Sequence, residues 1–305
     1  MMNFSNILVN VDAVAGEHPA LDQAAELADR MNAELTIVDL LPDVPEKARR
    51  FVTDRIEQEL VDHRWDLIKA IAERRGGRAR TAVLRGPAPA VSLIREVMRG
   101  GHDLLIRAHG TVNEEAGPFG PIDLQLLRKC PCPVWLVGPS GHPRPRRILA
   151  AIDAGCNDPG EAELNQAILN AALTIRDLEG SHVTVLYAWS AFGFDLLQWR
   201  MPAKEFEVFV ESARAAAAED LNRFIADLGP RRPDVDTLLV EGEPHTSLLD
   251  YAGSHVVDLV VMGTVARTGL AGFVMGNTAE RILRQLRGSV LAIKPAGFVS
   301  PITPA

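Results

Sequence analysis

The chain has 305 residues, with 32 lysines and arginines against 40 aspartates and glutamates, for a formal net charge of −8. At about 150 residues per domain that length predicts two domains. The acidic balance excludes a protein built around nucleic-acid phosphates, which needs a basic surface. The charge is spread evenly, with 17 basic and 20 acidic residues up to Ser140 and 15 and 20 beyond it, so neither half is a basic module. Three cysteines (Cys130, Cys132 and Cys156) make no disulfide framework and point to a reducing compartment. The first residues carry no basic stretch followed by an apolar core, and no apolar run approaches the ~18 residues of a membrane span. A cytoplasmic chain that binds neither membrane nor nucleic acid is therefore expected.

Taken in order, the first copy of the pattern reads as strand 5–12, helix 17–31, strand 34–41, helix 46–75, strand 79–85, helix 88–99, strand 103–108, helix 122–129 and strand 133–138. The chain then repeats itself. The run from Asn6 to Asp12 returns as Arg147 to Asp153, at an offset of 141 residues. Leu84-Arg-Gly86 returns as Val240-Glu-Gly242, Asp103–Ala108 as Asp258–Gly263, and Leu127–Val137 as Leu283–Ile293, all at offsets of 155 to 156. One insertion in the second copy, between its first and third apolar runs, accounts for the change. The second copy reads as strand 147–153, helix 160–178, strand 181–189, helix 203–228, strand 235–241, helix 245–254, strand 258–263, helix 277–286 and strand 289–294. The Gly- and Pro-rich stretch 138–146 divides the chain into units 1–140 and 141–305.

Short apolar strands alternating with helices predict an α/β fold: two tandem, doubly wound, five-stranded parallel-sheet domains. Strand 133–138 against strand 289–294 is the expected contact between them, antiparallel, so that each covers the other's edge.

Ligands of such sheets sit at the carboxyl ends of strands. In the second copy that places Ile152 and Asp153 at the end of the first strand, Ala188 near the end of the second, and Met262 and Gly263 at the end of the fourth. The glycine-rich stretch that follows holds Ala266, Arg267 and Gly276 and leads through Asn277 and Thr278 into a helix, whose free N–H groups suit an anion. No Gly-Lys-Ser/Thr follows, so this is not a Walker A loop. Seven of the 16 aromatic residues lie between positions 187 and 209, where the first copy has no such cluster. Trp189, Phe192, Phe194 and Trp199 are read as an apolar groove beside the glycine-rich loop, with core packing as the competing reading. Cys130-Pro-Cys132 lacks redox or zinc spacing, and no histidine pair has metal-ligand spacing, so neither a metal nor a catalytic set is assigned.

The strand-end aspartates, Gly263-Thr-Val-Ala-Arg-Thr-Gly269, Met275-Gly-Asn-Thr-Ala-Glu280 and Leu126-Leu-Arg-Lys-Cys-Pro-Cys-Pro133 together resemble the tandem universal stress proteins of the E class. The resemblance covers residues 4–296 and implies adenine nucleotide alpha hydrolase-like domains, a role in stress survival and ATP as the candidate cofactor. In ATP-binding members the loop reads Gly, two residues, Gly, nine residues, Gly, then Ser or Thr. The matching positions here are Gly263, Ala266, Gly276 and Asn277, with Thr278 next, so two of the four depart. The first copy has Ala108, Thr111, Gly120 and Pro121 there and is read as a degenerate partner. The expected function is small-ligand binding by the second copy, with a nucleotide as the candidate. A slow nucleotide hydrolase, or a module for an apolar or sugar-nucleotide ligand or a protein partner, stands as the alternative. The tandem implies an intrachain pseudo-dimer and leaves a homodimer open.

Overall fold

The computed structural model describes residues 2–109, 117–139, 144–229, 235–268 and 272–304; of 266–268 and 272–274 it describes the backbone. The apolar runs of the first half form strands β1 (Asn6–Val11), β2 (Glu34–Pro42), β3 (Arg80–Gly86), β4 (Leu104–Ala108) and β5 (Val134–Val137). Helices α1 (Pro19–Met31), α2 (Asp54–Arg74), α3 (Pro89–Gly100) and α4 (Pro121–Lys129) connect them. The second half has β6 (Arg147–Ile152), α5 (Pro159–Glu179), β7 (His182–Trp189), α6 (Phe194–Arg200), α7 (Ala203–Ala226), β8 (Val235–Glu241), α8 (Pro244–Ser254) and β9 (Leu259–Gly263). It ends with β10 (Val265–Thr268), β11 (Gly272–Met275), α9 (Asn277–Leu283) and β12 (Ser289–Ile293).

Ten strands form one sheet in the order β3-β2-β1-β4-β5-β12-β9-β6-β7-β8. Within each half all neighbours are parallel. The halves join where β5 and β12 pair antiparallel, Trp135 opposite Leu291 and Leu136 opposite Val290, which is the expected contact. Both strands are buried along their whole length, because helices cover both faces of the sheet. One face carries a core shared by α1, α2, α5 and α7, with Leu27, Ile68, Ile175 and Leu221 among its members. The opposite face carries α3, α4, α8 and α9, with Ile94, Leu126, Leu248 and Ile282. Cys130 and Cys132 are packed in this second core, thiol to thiol at 3.6 Å.

Two helices differ from the sequence reading. The helix expected over 46–75 is split into a 3-10 turn at Glu46–Ala48 and α2, which starts at Asp54. Thr53 stops a continuous helix: its hydroxyl accepts the Ile56 N–H at 3.4 Å and caps a new start. The insertion of the second copy contains its own short helix, α6, entered through Gly193 at φ 64 and left before Pro202. Among the described residues no helix is long and apolar enough to cross a membrane.

Candidate functional site

Where β6, β7 and β9 end, the chain turns away into α5, towards α6 and into β10, and a cleft of about 330 Å³ opens between them. Ile152, Asp153, Ala188, Met262, Gly263, Gly276, Asn277 and Thr278 all line it. These eight residues were expected together because parallel strands end at one rim. Their neighbours from the helices carry no local sequence signal: Leu164, Asn165 and Ile168 of α5, Leu248 of α8 and Ile282 of α9 complete the wall.

Two glycines hold this geometry. A Cβ at Gly263 would lie 2.8 Å from Leu164 Cδ2, so the end of β9 approaches α5 closely only because the side chain is missing. A Cβ at Gly155 would lie 2.3 Å from the Tyr187 hydroxyl and 3.5 Å from Asp220 Oδ2. Gly276 has open space around its Cα.

Asn165 fixes the loop after β6. Its Oδ1 accepts the Asp153 N–H at 3.1 Å, and its Nδ2 donates to the Asp153 carbonyl at 2.6 Å and to Cys156 Sγ at 3.3 Å. Burial raises the Asp153 carboxyl above its ordinary pKa; the Gly155 N–H opposes this and the Asp220 charge adds to it. Burial also raises Tyr187, with Asp153 and Asp220 contributing. Asp158 caps α5 through the N–H groups of Gly160 and Glu161 at 2.8 and 3.1 Å. Among the described lining residues the charged ones are Asp153, Asp158 and Glu161, all acidic.

Two sequence expectations are corrected here. The stretch read as a glycine-rich loop around phosphates is an antiparallel ribbon, β10 paired with β11 through Val265–Met275 and Thr268–Gly272. Its base closes where the Gly276 N–H donates to the Thr264 carbonyl at 3.3 Å, which sets Gly263 near Gly276. Ala266 and Arg267 are in β10, and their side chains lie outside the described residues. The four aromatics read as a groove line no part of the cleft. Trp189 is buried in the core under α7, because its β7 position points to that face, and Phe194 packs at the core's margin. Phe192 and Trp199 stand in solvent, 90% and 81% exposed.

The first half has a cleft of similar volume, about 340 Å³, at the matching place. Its chemistry differs. Asn10, Arg107 and Asp123 occupy the positions that are Ala151, Met262 and Ala279 in the second half. Arg107 donates to Asp123 Oδ1 from Nε at 2.9 Å and to Asn10 Oδ1 from Nη1. The other oxygen of Asp123 accepts the Gly120 N–H at 2.9 Å. Beside it, Arg64 Nη1 bridges Asp12 and Asp39 at 3.0 Å each. Strand register puts Asp39 opposite Val11 where Tyr187 stands opposite Ile152. Burial raises the Asp39 carboxyl, partly offset by the Ala13 N–H and Arg64.

Two copies of one α/β unit, each with a strand-end cleft, match a family model: universal stress protein, over residues 3–138 and again over 145–294. The chain belongs to the universal stress protein family. It is 28% identical over 312 residues to universal stress protein E of Escherichia coli K12, covering 99% of this chain and 98% of that one. It is 25% identical over 311 residues to a universal stress protein E homolog of Haemophilus influenzae, covering 97% and 99%. A solved structure of a putative universal stress protein from Pseudomonas aeruginosa UCBPP-PA14 superimposes with a TM-score of 0.72 at 25% identity, over 96% of this chain and 94% of that one. A universal stress protein from Archaeoglobus fulgidus shares the fold at 13% identity, with a TM-score of 0.61 over 95% of this chain and 98% of that one. The tandem arrangement is thus shared along whole chains.

Proposed function

We propose that this universal stress protein binds a small ligand in the cleft of residues 141–305, and that residues 1–140 form a structural partner with no equivalent ligand. The exchange at three matched positions carries this reading. Ala151, Met262 and Ala279 give the second cleft an apolar floor, whereas Asn10, Arg107 and Asp123 give the first a floor of mutually satisfied polar groups. With similar volumes, the difference between the clefts is one of chemistry rather than size. The ligand has a compact body that rests on Met262 and Ile282, and a hydroxyl or amine that donates to Asp153. A nucleoside meets both requirements, with ATP the first nucleotide to test. Its phosphates would face acidic Asp158 and Glu161, so Arg267 is the residue on which a charged ligand depends. The proposed setting is the cytoplasm, in the survival of stress, and the proposed activity is binding.

Native mass spectrometry of the purified chain, followed by calorimetric titration with ATP, ADP and adenosine, tests this. One ligand per chain is expected, with binding weakened at least about tenfold by Met262→Arg and unchanged by Asp12→Asn. Two equal sites per chain, or no saturation by any of the three with no co-purifying mass, would overturn the reading.

A further inference from the structure

One buried cluster serves neither the ligand cleft nor the strand pairing of the seam: the thiols of Cys130 and Cys132 with the ammonium of Lys294. Cys130-Pro-Cys132 is one residue shorter than the Cys-x-x-Cys of redox sites, yet the fold brings its sulfurs together. Helix α4 ends at Lys129, and Cys130 leaves it in an extended conformation, at φ −67 and ψ 131. In an extended chain residues i and i+2 point the same way. The chain also bends at Pro131 and Cys132 before β5 begins. The two sulfurs lie 3.6 Å apart in the second core. A disulfide needs them about 1.5 Å closer, a short approach for side chains already in contact.

Lys294 reaches this place from the other half. It follows β12, and its ammonium donates to the Leu127 carbonyl, three residues before Cys130, and to Thr264 Oγ1 at 3.2 Å. The Thr264 hydroxyl donates to the same carbonyl at 3.1 Å. The Phe298 ring covers the ammonium at 5.3 Å. A buried charge ordinarily requires an opposite one. Among the described residues no carboxylate pairs with Lys294, and the ionisable groups that act on it are the thiols of Cys130 and Cys132.

The two thiols are not equivalent. Burial alone would raise the Cys130 thiol, but the hydrogen bonds from the Cys132 thiol and N–H, with the Lys294 charge, outweigh it and leave it below its ordinary pKa. Cys132 moves the other way, held well above its ordinary value by the bond to Cys130 and by burial. One sulfur is thus suited to be a thiolate and its neighbour to stay a thiol, which is the division of labour between an attacking and a resolving cysteine. Cys130 is fully buried and Cys132 is 7% exposed, so only a very small reagent has access, along Cys132.

We propose that Cys130 and Cys132 form a reversible dithiol–disulfide couple, oxidised within one chain by hydrogen peroxide or another small hydroperoxide, with Lys294 holding the Cys130 thiolate. Cys130 releases its proton to water, and its sulfur attacks the terminal peroxide oxygen. The O–O bond breaks, Cys130 becomes a sulfenic acid, and the departing oxygen takes a proton from water. The Cys132 sulfur then attacks the Cys130 sulfur. The S–S bond forms, the S–OH bond breaks, and the hydroxyl leaves as water with the Cys132 proton. Two thiols and one hydroperoxide give one disulfide, one alcohol (or water) and one water. The couple does not depend on a ligand in the cleft.

Hydrogen peroxide added in small excess to the full native chain tests this. Remaining thiols are blocked with N-ethylmaleimide in denaturant, and a peptide digest is read by mass spectrometry. The peptide carrying both cysteines should be unalkylated and lighter by two hydrogen atoms while Cys156, half-exposed but raised in pKa, is still alkylated. Dithiothreitol should restore both thiols. Cys132→Ser should stop the reaction at a sulfenic acid on Cys130, captured by dimedone. Lys294→Met should slow oxidation by about tenfold or more and move its pH profile upward, which loss of a merely structural lysine would not do. Circular dichroism checks that each variant is folded, and the order of oxidation in the native chain is read without any variant. Oxidation of Cys156 ahead of the pair, a bridge between chains in place of one within a chain, or a rate and pH profile indifferent to Lys294→Met would each overturn the proposal.

Discussion

Arg107 and Asp123 meet at 2.9 Å beneath the first cleft, and their counterparts beneath the second are Met262 and Ala279. The pair is mostly shielded, with side-chain exposures of 22% and 5%. Removing one partner of such a pair leaves an uncompensated charge, whereas replacing the whole set with apolar groups is often neutral. Arg107→Met alone should therefore cost about 3 kcal/mol. The triple change Asn10→Ala, Arg107→Met, Asp123→Ala should cost less than the single one. Urea denaturation of the wild type, Arg107→Met and the triple variant reads this directly; a triple variant no more stable than Arg107→Met would contradict it.

Lys294 gives a pH prediction. Its ammonium is buried where β12 meets α4 of the other half, donating to the Leu127 carbonyl and to Thr264 Oγ1 at 3.2 Å. Burial lowers its pKa to about 8, opposed by the nearby Cys130 and Cys132. The unfolded value is about 10.4. Below about pH 8 both states are protonated and the folded state bears the full cost of the buried charge. Between the two values the unfolded chain binds more protons, so stability rises with pH, by about 3 kcal/mol from this group alone. Denaturation curves of the wild type and Lys294→Met across that window should converge or cross in favour of the wild type. Parallel curves would show that Lys294 does not titrate as its burial requires.

Asn165 is a structural requirement of the cleft. Replacing it with Ala strands the Asp153 N–H and leaves the Asp153 carbonyl only the long bond from the Cys156 N–H at 3.4 Å. A cost of about 2 kcal/mol is expected. Ligand affinity should fall with it, because the Asp153 loop loses its anchor. An Asn165→Ala protein with unchanged stability would mean that the loop holds itself.

Cysteine labelling separates the three thiols. Cys130 and Cys132 are buried, and Cys156 is half-exposed beside Asp153. Burial raises the Cys156 thiol above its ordinary pKa, with Asp153 and Glu161 adding to the effect. Iodoacetamide on the folded protein should label Cys156 first but slowly. Asp153→Asn should speed that labelling by about threefold. Mass spectrometry of a peptide digest resolves the order, and early modification of Cys130 would be inconsistent with the second core.

The repeat, the sheet and the join between halves were readable because each rests on local pattern. Val134–Val137 and the stretch from Val290 to Ile293 are apolar on both faces, which only a covered central strand tolerates. The strand-end residues of the cleft follow from the same pattern. Asn165 was not readable, since its partner is 12 residues away around a loop whose path only tertiary packing defines. The ribbon was missed because its glycines suggested a loop, while Val265, Thr268, Phe273 and Val274 favour extended pairing. Composition placed the aromatics near one another, but alternation along β7 sent Trp189 inward, and the chain after β7 left Phe192 and Trp199 outside. Arg107 did carry a signal: a charged residue in the apolar run Leu104–Ala108 asks for a buried partner, and Asp123 supplies it.

The antiparallel seam between β5 and β12 has an evolutionary consequence. When two identical chains pair through such a seam, every substitution appears twice, and both clefts change in step. Joining the halves in one polypeptide removes that coupling. One cleft can take on an internal arginine–carboxylate set and become scaffold while its twin keeps a floor of alanine and methionine. The seam preserves the geometry of a symmetric pair, and the single chain frees each half to specialise.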